Sequence, residues 1–299
     1  MTQIKIIKAK WAHDKAALSE IRSQVFIKEQ HVPQSLEWDG LDEQADHWLG
    51  LVDGSPVACA RLIDQYKIGR MAVLKPYRHI GIGSQLIKNI VHSNDPEKKY
   101  SLSAQCHAFS FYYQNGFSAE SLPYEDAGIP HIDMTTTNPE SADYCLNRDT
   151  EIHHGSSLIQ TQGFLDLMLC QINRSIIFCL KDLSHPILKH ENLTTTIKQL
   201  IKRNRRFKVY ILLSQYSTPD NEHPLFRLQD RLSSFIEIKK TEESLPNQIV
   251  LDSSAWFDFD GLNSRACFHD TPKIKHFMER YNQWWHNAKT ILDARRLSI

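Results

Sequence analysis

The spacing of apolar and polar positions changes repeatedly along the chain and predicts a mixed series of strands and helices. Residues 4–7 read as a short strand. Ala17, Leu18, Ile21, Val25 and Phe26 then recur at helical spacing, with Asp14 as the expected N-cap. The polar stretch 29–46 holds Pro33 and Gly40 and reads as loop. Residues 48–52 and 56–63 flank Asp53-Gly54, a dipeptide suited to a tight hairpin turn, and 68–74 is a third strand. After a glycine-containing turn, Leu86, Ile87, Ile90 and Val91 give one apolar helix face. Residues 101–105 read as a strand, 107–114 as a helix ended by Gly116, and 131–134 as a last strand.

Residues 135–150 lack apolar periodicity and contain Pro139, which places a domain boundary there. Beyond it, helices are expected at 158–172, 193–202, 224–232 and 274–288. Strands are expected at 175–180, 207–213 and 235–238, with 248–251 and 255–259 as a pair. The expected organisation is two α/β domains, 1–137 and 151–299, joined by a linker at 138–150. His153 and His154 read as part of a solvated connection. No repeat or low-complexity tract is visible.

Composition narrows the function. The 299 residues hold 35 Lys/Arg and 35 Asp/Glu. Up to Thr137 there are 14 cations against 16 anions, a net of −2, which leaves 21 against 19, a net of +2, for the rest. Neither part has the basic excess of a typical nucleic-acid binder, so no nucleic-acid partner is expected, although a local patch is compatible with these totals. The run Lys202-Arg203-Asn204-Arg205-Arg206-x-Lys208 fits a solvated helix end, with a phosphate or anionic-surface contact as the other reading. No apolar run reaches the roughly 18–20 residues that span a bilayer, and the lysine-studded N-terminus is not a signal peptide. Six scattered cysteines form no CxxC pair, and no Cys/His set has zinc-ligand spacing. A cytoplasmic protein with reduced thiols and no bound metal is expected.

The strongest local signal for chemistry is Arg78-x-x-Gly81-x-Gly83, between a strand and a helix. A helix N-terminus presents unpaired N–H groups and a positive dipole end, and glycine lets a ligand approach the backbone. Together these features cradle a pyrophosphate. The turn lacks the third glycine of a dinucleotide fold and the Gly-Lys-Ser/Thr of a P-loop.

At these residues the sequence resembles the GNAT N-acetyltransferases. Gly69-Arg70-Met71-Ala72-Val73, then Pro76-Tyr77-Arg78-His79-Ile80-Gly81-Ile82-Gly83, is similar to the family's acetyl-CoA motif. Phe111-Tyr112-Tyr113-Gln114-Asn115-Gly116-Phe117 is similar to its FYxxxGF signature. Ile21-Arg22-x-x-Val25-Phe26-x-x-Glu29-Gln30-x-Val32-Pro33, Glu37-x-Asp39, and Tyr124-x-x-Ala127-Gly128-Ile129-Pro130-His131-x-Asp133-Met134 resemble the ElaA-like subgroup. The resemblance covers residues 1–137. It implies a mixed α/β GNAT fold, acetyl-CoA as acetyl donor and an amine acceptor.

Carried over position by position, the resemblance implies that backbone groups of Met71, Ala72 and Val73 pair with the pantetheine arm and polarise the thioester carbonyl. Amides of the turn, His79, Ile80, Gly81, Ile82, Gly83 and Ser84, following Arg78, would hold the pyrophosphate. Gln105 would face CoA. Tyr112 stands where the family's tyrosine protonates the leaving thiolate; an aromatic core role, or Tyr113 instead, is the competing reading. The general base is open among Glu29, Glu37, Asp39, His107, His131 and a water chain, with Glu29 and His107 placed first. No cysteine falls in a matched motif, so direct attack in a ternary complex is implied. The acidic residues Glu37, Asp39, Asp42, Glu43 and Asp46 offer attraction for a cationic amine or form an ordinary solvated loop.

In the second half, residues 248–254 and the ending Phe277-x-x-x-Tyr281-x-x-Trp284-Trp285 resemble phospholipase-D-like domains, which carry His-x-Lys-x4-Asp. Counting back from Asp252 puts Leu245 and Asn247 at the nucleophile and phosphate-clamp positions, so no phosphodiesterase activity is expected. A scaffold, a surface for a second copy of the chain (a homodimer) or acceptor recognition fits better. The alternative for the whole protein is a non-catalytic acetyl-CoA sensor whose second domain binds a partner.

Overall fold

Residues 3–138, 141–216 and 222–291 are described by the computed structural model of the chain. They segregate into two units. One takes in the chain up to Gln105 together with Phe111–Ser141; the other comprises Cys106–Ser110 and the chain from Ala142 onward.

In the first unit, strand β1 (Ile4–Ala9) leads into helix α1 (Trp11–Arg22), which continues as a π-helical segment, Ser23–Glu29. The helix starts earlier than its sequence signal. Lys10 is the N-cap, and Asp14 reaches back from the first turn to accept the Lys10 N–H at 2.8 Å. The polar stretch 29–46 is not all loop: it holds the one-turn helix α2 (Gln34–Glu37) and a 3-10 turn, Asp42–Gln44. Strands β2 (Asp46–Val52) and β3 (Ser55–Ile63) form the expected hairpin, with Asp53 and Gly54 at φ 48° and 83°, and β4 (Lys67–Val73) follows. Then come α3 (Ile82–Ser93), β5 (Ser101–Gln105), α4 (Phe109–Gln114), β6 (Ser118–Ala119), β7 (Tyr124–Asp126) and β8 (Ile129–Thr135). The helix expected at 107–114 begins as a 3-10 turn, Cys106–Ala108.

The sheet runs β1-β2-β3-β4-β5-β8-β6, with β7 on β8. On one face Leu18, Ile21 and Val25 pack against Ala9, Leu49, Cys59 and Ala72. On the other face α3 comes down over Gly50. A Cβ there would lie 2.9 Å from Ile82 Cδ1 and 3.0 Å from Ala58 Cβ, so glycine admits the first turn of the helix.

The second unit holds β9 (His153–Gly155), α5 (Leu158–Leu169), β10 (Ser175–Leu180), α6 (Pro186–Lys189), α7 (Glu191–Arg203) and β11 (Lys208–Leu213). These are followed by α8 (Pro224–Arg231), β12 (Ile236–Lys240), β13 (Gln248–Leu251), β14 (Ala255–Asp260), β15 (Asn263–Cys267), α9 (Thr271–Asn287) and β16 (Lys289–Thr290). The sheet order is β16-β12-β11-β10-β13-β14-β15-β9. β10, β11 and β12 are parallel and joined through helices, as parallel strands require; β13 to β15 form an antiparallel meander. Phe164, Leu165, Leu167 and Met168 of α5 are fully buried. On the α9 side, Ile274, Phe277 and Tyr281 close a core with Cys179, Val250 and Trp256.

Two local readings need correction. The expected linker is partly core: Tyr144 and Cys145 are buried, and the Tyr144 N–H donates to Asp149 at 2.7 Å. His153 is not in a solvated connection. It lies in β9, paired with β15, and its Nε2 stands 2.6 Å from Asp149 Oδ2.

Candidate active site

β4 and β5 run parallel but pair only at Lys67↔Ser101, so the two strands separate toward their C-terminal ends. Leu74 donates its N–H to Val57 on the β3 side at 2.9 Å. By the alternation of a strand, Val73 turns its N–H and C=O to the open β5 side. Its carbonyl there accepts Arg78 Nε at 2.9 Å, and the edge of β4 beyond Lys67 has no strand partner on that side.

The glycine turn lies beside this opening. His79 and Gly81 adopt φ 66° and 87°, and Gly81 is the N-cap of α3 without a side chain to cap it. The first helical bond is Gln85 N–H to Gly81 O, 3.1 Å, which leaves the Ile82, Gly83 and Ser84 amides uncapped. A Cβ on Gly81 would meet nothing within 4 Å, while one on Gly83 would touch the Phe111 ring at 3.1 Å and Met71 Cε at 3.4 Å. The start of the helix therefore packs directly on β4. Ile80 is exposed and Ile82 is buried beneath the sheet, so only the backbone of Ile82 can serve a ligand.

A ring of side chains links the two separated strands. Arg78 makes a two-pronged ion pair with Glu29, 2.8 and 2.6 Å. The next residue, Gln30, accepts the Gln105 amide of β5 at 3.0 Å. The structure thus brings together Val73, Arg78, Glu29 and Gln105, all sequence candidates, with Gln30 as a member that sequence reasoning left without a role. The Arg78 hydrogen bonds hold the Glu29 carboxyl below its usual pKa, so it is a poor proton acceptor.

Beyond Gln105, one face of β5 and β8 is polar. Gln105 sits opposite His131, and Ser103 opposite Asp133. Tyr124 O–H donates to Asp133 at 2.6 Å and lies 2.5 Å from Ser103 Oγ. His131 is nine-tenths buried, with Nδ1 2.9 Å from the Ile129 carbonyl. A carbonyl can only accept, so Nδ1 donates, and in the neutral ring this leaves the lone pair on Nε2. From Tyr100 to Thr137 the chain has no Lys or Arg but contains Glu120, Glu125, Asp126 and Asp133.

The acidic loop is organised differently. Glu37 and Asp42 are buried and ion-paired with Arg22, itself 1% exposed; Asp42 and Asp39 also pair with Arg61, and Glu37 and Asp39 with Arg70. Burial raises the Glu37 pKa despite these arginines. Burial also acts on Asp42, but bonds from Arg22 and Arg61 outweigh it and hold that carboxyl low; the Arg61 bonds hold Asp39 well below the carboxylate range. Three carboxylates against three guanidiniums leave no net charge here, and Asp46 pairs with Lys8. The network was illegible in sequence because its members come from four separate segments.

Tyr112 sits on α4 with its ring edge-on to Phe111 and Phe117, and burial pushes its phenol up to about 12. His107 is exposed in the 106–110 segment, which belongs to the second unit rather than to the residues above.

Residues 12–138 match the family model described as an acetyltransferase (GNAT) domain, and residues 160–297 match one described as a domain of unknown function, DUF7931. Over 124 residues the chain is 35% identical to the uncharacterized protein YyaT of Bacillus subtilis, covering 39% of this chain and 84% of that one. It is 34% identical over 120 residues to the uncharacterized N-acetyltransferase YjcF of the same organism, covering 38% and 86%. Against protein ElaA of Escherichia coli it is 34% identical over 128 residues, covering 40% and 84%. The chain belongs to the GNAT acetyltransferases and is an acyltransferase, of a family that uses acetyl-CoA as donor.

Proposed function

We propose that the first unit transfers an acetyl group from acetyl-CoA to a cationic primary amine by direct attack with both molecules bound. The observation that supports this best is the single-pair opening between β4 and β5, flanked by an uncapped helix N-terminus. The donor set fits the group: three free amides at Ile82, Gly83 and Ser84 suit a pyrophosphate, and the Met71 and Val73 backbone on the open edge suits an extended amide-bearing arm, whereas Ala72, paired with Cys59, turns its backbone to β3. With Gln105 these residues would hold the donor, which supplies an activated acetyl thioester.

The protein's own groups divide the remaining work. His131, with its lone pair fixed on Nε2, takes the proton that an acceptor ammonium must lose. Tyr112, pushed up to about 12, keeps its proton through neutral pH and offers it to the departing sulfur. Glu29 acts through Arg78 as a positioning residue, because its ion pair makes it too weak a base. Glu37 and Asp39 are neutralised and shape the loop. The cation-free, acidic stretch from Tyr100 to Thr137 attracts a positively charged acceptor.

The second unit is read as non-catalytic. Leu245 is buried and apolar, the Asn247 side chain accepts the Lys181 N–H at 3.0 Å, and Asp252 accepts three backbone N–H groups from Asn173, Arg174 and Ser175.

Calorimetric titration with acetyl-CoA, followed by thiol release against diamines, polyamines and basic peptides, tests the reading. Tyr112→Phe is expected to lower kcat by about a hundredfold or more with cofactor affinity unchanged. Absence of acetyl-CoA binding would refute the site. One observation favours the sensor reading instead: Glu29, Glu37 and Asp39 are all held in ion pairs. That reading predicts acetyl-CoA binding with no turnover on any amine.

A further inference from the structure

The chain is neutral overall, yet one end of the second unit's sheet collects cations. β10, β11 and β12 are parallel, so the loops that feed them lie side by side at strand spacing, about 4.8 Å. Those loops and the helix end before β11 carry Arg174, Lys202, Arg203, Arg205, Arg206 and Lys208, all exposed. The loops are tied together. Lys208 N–H donates to Arg174 O at 3.1 Å, Arg203 to Ile172 O at 2.6 Å, the Asn204 amide to Asn173 O at 2.6 Å, and Lys208 Nζ to Ser234 O at 2.7 Å. Among the described residues none of the six cations has an acidic partner. The nearby Asp252 is occupied by backbone N–H groups. Exposed, unpaired, mostly guanidinium side chains on a braced platform exceed what helix ends require.

We propose that this end of the second unit is an electrostatic docking surface for an anionic phospholipid bilayer. Guanidiniums bind phosphate in a forked geometry, and clustered Lys/Arg is drawn to acidic lipid headgroups. Three features favour a plane of phosphates over a nucleic acid. Phe207 is fully buried and Lys208 lies over the Phe235 ring, so neither ring is offered to a base. The helices reaching this end, α5, α7 and α8, bring their C-termini, whose carbonyls repel a phosphate brought against the backbone. Arg203 and Lys208 turn back to brace backbone carbonyls, which leaves the long exposed side chains of Arg174, Lys202, Arg205 and Arg206 to meet the anion and suits a flat partner at a side chain's distance. The contact is peripheral, and none of the exposed large apolar side chains lies among these cations.

The test uses the full-length protein in flotation with vesicles of phosphatidylcholine alone or mixed equally with phosphatidylglycerol. Binding is expected only to the anionic vesicles and is expected to fade as salt shortens the screening length. The double variant Arg205→Glu/Arg206→Glu is expected to lose about two orders of magnitude or more in partitioning, at about fivefold per unit charge, with an unchanged melting transition. Equal binding to neutral vesicles, or undiminished binding by the variant, would overturn the proposal. So would absence of vesicle binding, or preferential retention by duplex DNA or RNA that strips the protein from vesicles; the last would identify a nucleic-acid surface instead.

Discussion

Helices α3 and α5 are both 12 residues long and each follows a short strand and turn, yet their N-termini are finished in opposite ways. In the second unit Ser157 caps α5, its hydroxyl accepting the Gln160 N–H at 3.2 Å. His223 and Asp270 cap α8 and α9 in the same manner. In the first unit α3 begins at Gly81 with nothing to accept its amides. A missing cap forgoes about 1 kcal/mol. The second unit closes these helix ends with its own side chains, and the first leaves one uncapped.

Buried acids repeat the contrast. Asp42 in the first unit is held ionised by Arg22 and Arg61, whereas Asp166 in the second, 3% exposed, has one hydrogen bond, from Gln162, and burial pushes it up to about 7. A paired charge anchors the loop that carries it. An unpaired acid keeps its proton through the acidic range.

Four substitutions would break or sharpen this contrast. Arg22→Ala takes from Glu37 and Asp42 their most deeply buried partner and leaves them Arg70 and Arg61. It is expected to cost the first unit about 3–5 kcal/mol, read by urea unfolding, and the folded fraction should no longer bind acetyl-CoA normally. Because the Asp42 pKa is depressed in the fold, its stabilisation is present above its unfolded value and lost as pH falls through the folded one. The variant should lose part of that acid sensitivity, the part that Arg61 supplies remaining.

Gly81→Asp puts a like charge at this turn, on a backbone whose φ of 87° strains any L side chain. Acetyl-CoA affinity is expected to fall about a hundredfold or more, the scale of a close like-charge contact. Retained affinity would remove the pyrophosphate from this turn.

Asp166→Asn has the opposite sign for stability. Between about pH 4 and its folded value the unfolded chain releases its proton while the folded one keeps it, so wild-type stability falls across that window. The variant should be more stable by about 4 kcal/mol at about pH 8 and little changed at about pH 4. A pH-independent difference would contradict the raised pKa of Asp166. Ser157→Ala gives the smallest effect, about 1 kcal/mol off the second unit's unfolding free energy, with acetyl-CoA binding unchanged.

Features set by near neighbours were legible in the chain. The Asp53-Gly54 hairpin, the strand at 175–180 and the turn before α3 follow from turn residues and periodicity, which act within a few positions. Local rules also misled. Asp14 has the right chemistry for a cap but lies inside the first turn, and His153 lies in a strand whose partner, β15, is about a hundred positions away. Contacts across the sheet were out of reach: Arg78 meets Glu29 across 49 positions and Gln105 meets Gln30 across 75.

The amino-acid order by itself determined the longer helices and most of the strands, though not α2, α6, β6, β7, β9, β15 or β16, together with the bare glycine turn and the resemblance carried by residues 69–83 and 111–117. Only the tertiary structure decided which charges are free. It neutralised the acidic loop with Arg22, Arg61 and Arg70, turned Glu29 from a candidate base into a clamp on Arg78, and left six cations unpaired at one end of the second sheet. Backbone conformation follows from interactions along the chain, whereas the state of an ionisable group depends on burial and on partners within a few ångströms, and these are assigned only when distant segments meet.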